Sequence, residues 1–299
     1  MYNDLASALN NVPEEPIPPE PPLKESEETI TQWDYEIEPF EADGEKRYSI
    51  SNKAQLAYLA KKVNEGETYQ GYTFILTANI DFQLQGGWVP IGNNSRRYFN
   101  GTFDFKGHTI DNLNIENSQY DYRGLFGNLG SNAVINEASI SNAIVTGNDY
   151  IGCLAGKNAG TIRNMFISNG NVSGKESIGG VVGYNTGSIS SSIYNEGTTV
   201  EGETNVGGVV GYNTSSISES INDTVVTKGK TNVGGIVGYS TGSVSNSEDK
   251  NGNIIGETNV GGIIGYNKGR IENCIAEHSA VQGNSNYGQI VGKDEGTTE

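Results

Sequence analysis

The sequence is poor in most of what catalytic and membrane-spanning chains rely on. Its two cysteines, Cys153 and Cys274, are too few for a disulfide framework or a zinc site. Its two histidines, His108 and His278, stand in unrelated phrases, and there is no HExxH motif. No run of 18 apolar residues occurs, which excludes a helical membrane span. Basic residues are scarce, 19 Lys and Arg against 36 Asp and Glu, giving a formal net charge of −17. Arg96-Arg97 is the densest basic spot, so the clustered positive face that nucleic acid or an anionic membrane surface requires is missing. The opening "MYNDLASALNN" has neither the basic start nor the apolar centre of a secretory leader. The chain is therefore expected to be either cytosolic or a portion of an exported protein. No cofactor and no metal are expected.

Proline is almost confined to the start: seven of the eight lie before residue 40, among Glu14, Glu15, Glu20, Glu25, Glu27 and Glu28. Low hydrophobicity and like charge cannot build a core, so residues 1–46 are expected to be a disordered acidic, Pro-rich tether. Within it, Thr31 to Phe40 ("TQWDYEIEPF") has enough aromatic surface to dock on something.

What the sequence does have is glycine, asparagine and one phrase repeated. "SIGGVVGYNT", "NVGGVVGYNT", "NVGGIVGYST" and "NVGGIIGYNK" begin at Ser177, Asn205, Asn232 and Asn259. The last glycine of each phrase falls at Gly127, Gly156, Gly183, Gly211, Gly238, Gly265 and Gly292, with spacings of 29, 27, 28, 27, 27 and 27. A fixed period of that size is the signature of a solenoid. Inside a unit, Val206, Val209 and Val210, then Ile217 and Ile221, then Val225 and Val226 form brief strand-like groups between turn residues. The expected fold is all-β: a right-handed parallel β-helix with three short strands per coil of ~27 residues. Its domains are the tether, an N-terminal α/β cap with irregular first coils over 47–121, solenoid repeats over 122–293, and a polar tail over 294–299.

In such a fold, residues one period apart become vertical neighbours. One apolar column reads Ile151, Ile178, Val206, Val233, Val260, Tyr287, and a second reads Ile162, Ile189, Ile217, Val244, Ile271. Asn158, Asn185, Asn213 and Asn267 align with Ser240 interrupting, and Asn205, Asn232, Asn259 and Asn286 align at another corner. Stacked amides can hydrogen-bond along such columns. Lys175, Glu203, Lys230 and Glu257 alternate in sign, as a column of charges at stacking distance requires. Gly179, Gly207, Gly234 and Gly261 recur where the chain needs positive φ, a bulge or a close approach. Cys153 and Cys274 fall four coils apart, out of disulfide range, and are expected to be free, buried and inert.

These phrases resemble the GLUG-motif repeat family of bacterial surface proteins, which includes repeat regions of Gram-positive immunoglobulin-A peptidases and adhesin-like proteins. "YRGLFGNLG" (Tyr122 to Gly130) carries the Gly-Leu-Phe-Gly form, and the "GGVVGYN" variants follow it. The lead-in "YSISNKAQLAYLAKKVNEGETYQGYTFILTANIDF", with "WVPIGNN" and "YFNGTFDFKGHTI" after it, is similar to segments that precede such repeats. The resemblance implies a fold and an exported, cell-surface setting rather than an activity. From the residues alone, Asn52 with Gln55 marks a helix start, and Leu56, Leu59, Ala60 and Val63 give it one apolar face to cover the first coil. Trp88, Phe99, Phe103 and Phe105 would fill the early coils.

Three functional readings follow. The first is a non-catalytic surface stalk or adhesin-like module whose partners are a host glycan, a host protein or further copies of itself; Tyr184, Tyr212, Tyr239 and Tyr266 form its candidate binding column, and aromatic rows can meet sugar rings. The second is a subunit that self-assembles through strand addition or end-to-end coil stacking. The third is a carbohydrate-active β-helix enzyme, which would need paired carboxylates in a cleft. Asp149, Glu176, Glu196, Glu201, Glu219, Asp223, Glu248, Asp249 and Glu272 are expected to scatter over outward faces. "NSEDKNGN" (Asn246 to Asn253) comes nearest to a calcium loop, through Glu248, Asp249 and Asn251, but lacks its spacing. His108 is expected to be a hydrogen-bonded turn residue.

Overall fold

A computed structural model describes residues 41–42 and 45–298, apart from 85 and 117. Nearly all of the expected tether lies outside these residues; its end, however, contributes a strand, Glu41–Ala42, antiparallel to Arg47–Ile50. From Arg47–Ile50 onward the strands pair in parallel, and the chain forms a β-solenoid of about nine turns. Parallel coiling therefore starts well before residue 122. At the other end Thr297–Thr298 pairs with Arg270 and Ile271, so the polar tail is the beginning of a further turn.

A representative coil runs through Val182–Asn185, Ser188–Glu196, Thr199–Glu201 and Thr204–Gly207, one strand in each of four sheets. In later coils the second strand divides, as in Ser216–Ser218 and Ser220–Asp223. The coil thus has four or five strand pieces where apolar grouping suggested three. Two corners account for the difference. Val206 and Val210 belong to different strands separated by the Gly207-Gly208 corner, and Glu219, at φ 55°, breaks the long strand.

Left-handed backbone recurs at three fixed places per coil. One column is Glu137, Asn164, Ser191, Glu219, Asn246 and Asn273; a second is Asn142, Asn169, Gly197, Thr224, Asn251 and His278; a third is Tyr150, Ser177, Asn205, Asn232, Asn259 and Asn286. Asparagine tolerates this conformation better than other residues with a Cβ, which explains its abundance at the corners. The paired glycines have another role. Gly179, Gly207, Gly234 and Gly261 are not left-handed; a Cβ at Gly207 would collide with the Val210 carbonyl oxygen of its own coil. Close approach alone dictates glycine there.

The apolar columns pair residue for residue, Ile151 through Tyr287 and Ile162 through Ile271. Their members up to Val260 and Ile271 are buried. The helix Lys53–Glu65 starts where Asn52 Oδ1 accepts from Gln55 N at 2.9 Å, while Gln55 Oε1 accepts from Ser51 N at 2.8 Å. Leu56, Leu59, Ala60 and Val63 enter the same core as Ile50, Phe74 and Leu76. Trp88, Phe99, Phe103 and Phe105 are buried in the early coils, with Phe99 and Phe126 ring centres 5.5 Å apart.

One interior column reads Val172, Val200, Thr227, Ile254. Thr227 is fully buried there and its hydroxyl has no hydrogen-bond partner among the described residues. Leaving such a group unsatisfied costs about 1–3 kcal/mol. Thr227→Val, which matches its column neighbours and its own volume, is expected to raise the thermal unfolding midpoint followed by circular dichroism; an unchanged or lower midpoint would show that the hydroxyl is satisfied in solution.

Candidate functional site

The candidate tyrosines occupy one register position. Tyr184, Tyr212, Tyr239 and Tyr266 face one another across successive strands, half-buried, with ring centres 5.0, 4.9 and 5.1 Å apart. Tyr150 and Tyr122, from the corner position, extend the row, with Tyr150 5.6 Å from Tyr184 and Tyr122 5.2 Å from Tyr150. The sequence register did not suggest this, because the two side chains cross into a neighbouring column. Each ring between the ends has another above and below it; Tyr184 and Tyr212 stack at an interplanar angle of 16°, whereas Tyr212–Tyr239 and Tyr239–Tyr266 are inclined at 50° and 67°, so the contacts change from face-to-face to edge-on along the row. Burial, followed by the neighbouring tyrosines, pushes the Tyr212 phenol up to about 12. Lysines lie over both ends of the four: Lys157 Nζ is 5.2 Å from the Tyr184 centre and Lys293 Nζ 4.5 Å from that of Tyr266. The Tyr266 hydroxyl donates to Glu295 Oε2 at 2.6 Å. The Lys293 hydrogen bond, more than any other interaction, holds the Glu295 carboxyl down at about 2.

Lys175, Glu203, Lys230 and Glu257 also form a column, their backbones joined by Glu203 N donating to Lys175 O, Lys230 N to Glu203 O and Glu257 N to Lys230 O at 2.8–2.9 Å. Lys230 Nζ lies 3.3 Å from Glu203 Oε1, both side chains more than half exposed. A pair like this contributes about 0–1 kcal/mol, so the column specifies register more than stability. Glu201 and Lys228 form a similar pair at 2.8 Å.

The asparagine columns are hydrogen-bonded chains. Asn158 donates to Asn185 at 2.8 Å, Asn185 to Asn213 at 2.9 Å, and Asn213 to the Ser240 hydroxyl at 3.1 Å. In the corner column the direction reverses: Asn232 donates back to Asn205, Asn259 to Asn232 and Asn286 to Asn259, at 2.8–2.9 Å.

A third polar chain lies fully inside. Asn195 Nδ2 donates to Asn222 Oδ1 at 3.1 Å, Asn222 Nδ2 donates to Asp249 Oδ1 at 2.9 Å, and the Ser279 hydroxyl donates to Asp249 Oδ2 at 2.5 Å. One expectation needs correcting here, the outward placing of Asp249. Asp249 is a buried continuation of an amide row rather than part of an outward calcium-like loop, and Ile221 faces outward, half-exposed, while Asn222 takes the interior place. Glu219, left-handed, shifts the inward–outward alternation by one residue, so Ile217 and Ile221 point to opposite sides. Desolvation raises the Asp249 carboxyl to about 6, against the lowering effect of its two hydrogen bonds.

The carboxylates are also less scattered than expected. Asp149 and Glu176 are directly paired, half-buried positions of adjacent coils, and Asp149 N donates to Asp121 Oδ1 at 3.2 Å. Burial first, then Asp121 and Glu176, raise Asp149 to about 6; burial also raises Glu176. A hollow of about 410 Å³ lies elsewhere, on the last coil beside Val281 and Tyr287. No group of three or more His, Cys, Asp or Glu among the described residues is arranged to hold a metal ion. His108 is a turn residue, its N donating to Phe105 O at 2.8 Å and its Nδ1 3.3 Å from Asn79 Oδ1; His278 is an exposed corner residue. Both cysteines are free, but Cys274 is partly exposed where full burial was expected, because the coils beyond it cover it incompletely.

Known proteins share parts of this pattern. Residues 256–278 match the GLUG motif, so the chain carries the repeat its phrases suggested. Halomucin of Haloquadratum walsbyi is 36% identical over 126 residues, 40% of this chain and 1% of that protein. A protein of Evansella cellulosilytica described as a Gly-rich membrane protein is 32% identical over 133 residues, 42% of this chain and 15% of that one. The chain thus spans only a small part of the length of either relative. The crystal structure of a Bacteroides ovatus protein described as an immunoglobulin A1 protease superposes with a TM-score of 0.65 at 23% identity, covering 85% of this chain and 84% of that one, and shows the shared fold. No helix among the described residues is long and apolar enough to cross a membrane.

Two measurements follow from the buried groups. The raised Asp249 pKa means that the folded state keeps a proton which the unfolded chain releases near pH 4. Stability should therefore fall as pH rises from about 4 to 6 and level off above, by roughly 2–3 kcal/mol for this group. Asp249→Asn keeps an acceptor for Asn222 and should flatten part of that decline in unfolding midpoints taken from pH 4 to pH 8; an undiminished decline would assign it elsewhere. A thiol reagent should label at most Cys274 in the native protein and both thiols after denaturation, since burial pushes Cys153 up to about 12. Prompt native labelling of two thiols would contradict this packing.

Proposed function

We propose that the chain is a non-catalytic module of an exported cell-surface protein, a rigid stalk that spaces or presents binding partners in the manner of an adhesin. The observation that carries this reading is the parallel stacking of coils over about nine turns, in register but for one shift between Arg163 and Met165, a rod of roughly 43 Å at ~4.8 Å per coil. Every column serves the next coil: apolar residues fill the core, amides bond along it and tyrosine rings pack on one another. Relatives described as a halomucin and a Gly-rich membrane protein support a surface setting. The mutual packing of the half-buried tyrosine rings favours a structural role for them, leaving their exposed parts for any glycan or host protein.

Asp149 and Glu176 keep the carbohydrate-active reading specific enough to test. The purified chain should be retained on arrays of glycans or extracellular proteins and should release no reducing ends from polysaccharides. Polysaccharide cleavage abolished by Asp149→Asn or Glu176→Gln would replace the stalk by an enzyme.

A further inference from the structure

The tyrosine row stays continuous although its rings change their place of origin along the rod. At its start the rings belong to the corner residues Tyr122 and Tyr150, while the strand position that pairs with Tyr184 holds Asn128 and Lys157. From the next coil onward the strand supplies the ring, at Tyr184, Tyr212, Tyr239 and Tyr266, and the corner holds Ser177, Asn205, Asn232 and Asn259. Each of these coils thus gives the row one phenol, and successive ring centres stand 4.9–5.6 Å apart.

A phenol gives up one electron together with its O–H proton, and two phenoxyl radicals held side by side join through the ring carbons ortho to oxygen. The new bond lies in the plane of both rings, so edges rather than faces must meet. Tyr212 and Tyr239 suit this best. They are half-buried with further coils on either side, so packing fixes their backbones while part of each ring reaches solvent. Their ring centres are 4.9 Å apart and their planes 50° apart, which turns an edge toward the neighbouring ring, whereas Tyr184 and Tyr212 lie nearly face to face at 16°. The outer rings of the four are more encumbered. Lys157 lies over Tyr184, and Tyr266 is held between Lys293 and its hydrogen bond to Glu295. A cation over a ring also opposes removal of an electron from it.

We propose that Tyr212 and Tyr239 form an oxidative cross-linking site, at which one-electron oxidants of the peroxidase-haem or metal-complex class join two adjacent coils through a dityrosine bond. Two oxidant equivalents take one electron from each phenol, and the two O–H protons pass to water. One C–C bond forms between ortho carbons; the hydrogens on those carbons leave as protons and each oxygen regains one, which restores both hydroxyls. The net change is the loss of two electrons and two protons. Because the two residues are paired positions of successive coils, the bond closes a loop of one whole coil and restricts the unfolded chain. This staple goes beyond the stalk reading and does not rest on it.

The test oxidises the full chain, at low concentration, with photoexcited ruthenium tris-bipyridine and persulfate as the final electron acceptor. The product should show the blue fluorescence of dityrosine, keep the 31.9 kDa mass of one chain less two hydrogens, and yield on proteolysis a fragment in which Tyr212 is joined to Tyr239. Tyr212→Phe and Tyr239→Phe keep the rings and should keep the wild-type circular dichroism spectrum, yet each should lose that fragment. Tyr194→Phe, in a different sheet, should retain it. The joined chain should also unfold at a higher temperature than Tyr212→Phe treated in the same way. Loss of tyrosine without the fragment overturns the site, as do links confined to other pairs such as Tyr48 and Tyr72, links formed only between chains, or an equal yield from chain unfolded in urea. An unchanged midpoint in the joined chain overturns the reinforcement.

Discussion

In-register parallel stacking is the constraint on which the rest of the molecule depends. At ~4.8 Å per coil each position meets its own equivalent above and below, so a residue type is admissible only if it tolerates its like. Aliphatic side chains do, and they form the columns from Ile151 and Ile162. Amides do because each carries both a donor and an acceptor. Charges do not, and the column from Lys175 to Glu257 alternates. Carboxylates can accept but not pass a bond on, which suits them to the last place in a row: Asn222 ends on Asp249, and Asn267 donates to Asp294 at 2.8 Å.

The same rule explains where the sequence was readable. The glycine period located coils, and the columns from Ile151, Ile162, Asn158 and Asn205 could be aligned without coordinates because each repeats one residue type. The helix start at Asn52 was equally open to reading, since capping is a local contact. What escaped were effects of backbone handedness. A left-handed residue at Glu219 reverses which neighbours point inward, so the interior place falls to Asn222, which no apolar grouping singles out, rather than to Ile221. Tyr122 and Tyr150 were missed for a related reason: their backbones sit at a corner while their rings reach the adjoining row. The glycine pairs were located correctly, but their cause, a carbonyl of the same coil, is a tertiary fact.

The departures from uniformity are concentrated in two places. Around Asp121, Asp149 and Glu176, three carboxyls follow one another where later coils have Thr204, Thr231 and Thr258. Partial burial first, then the like charges of Asp121 and Glu176, raises the proton affinity of Asp149, and burial raises that of Glu176. Around Asp249, an interior row that is Ile140 and Ile167 in earlier coils becomes Asn195, Asn222 and Asp249. Both replace a neutral stack by one whose protonation matters, and neither is required to hold the coils in place.

The opposed donor directions of the amide columns have a consequence for how such a rod can lengthen. A file of side-chain amides all oriented one way would accumulate a dipole with every repeat, as aligned peptide units do in an α-helix. Here the file through Asn158, Asn185 and Asn213 and the file through Asn205, Asn232 and Asn259 run in opposite senses and largely cancel. Polarity from these groups therefore does not build up with the number of turns, and electrostatics from this source sets no upper limit on the number of repeats.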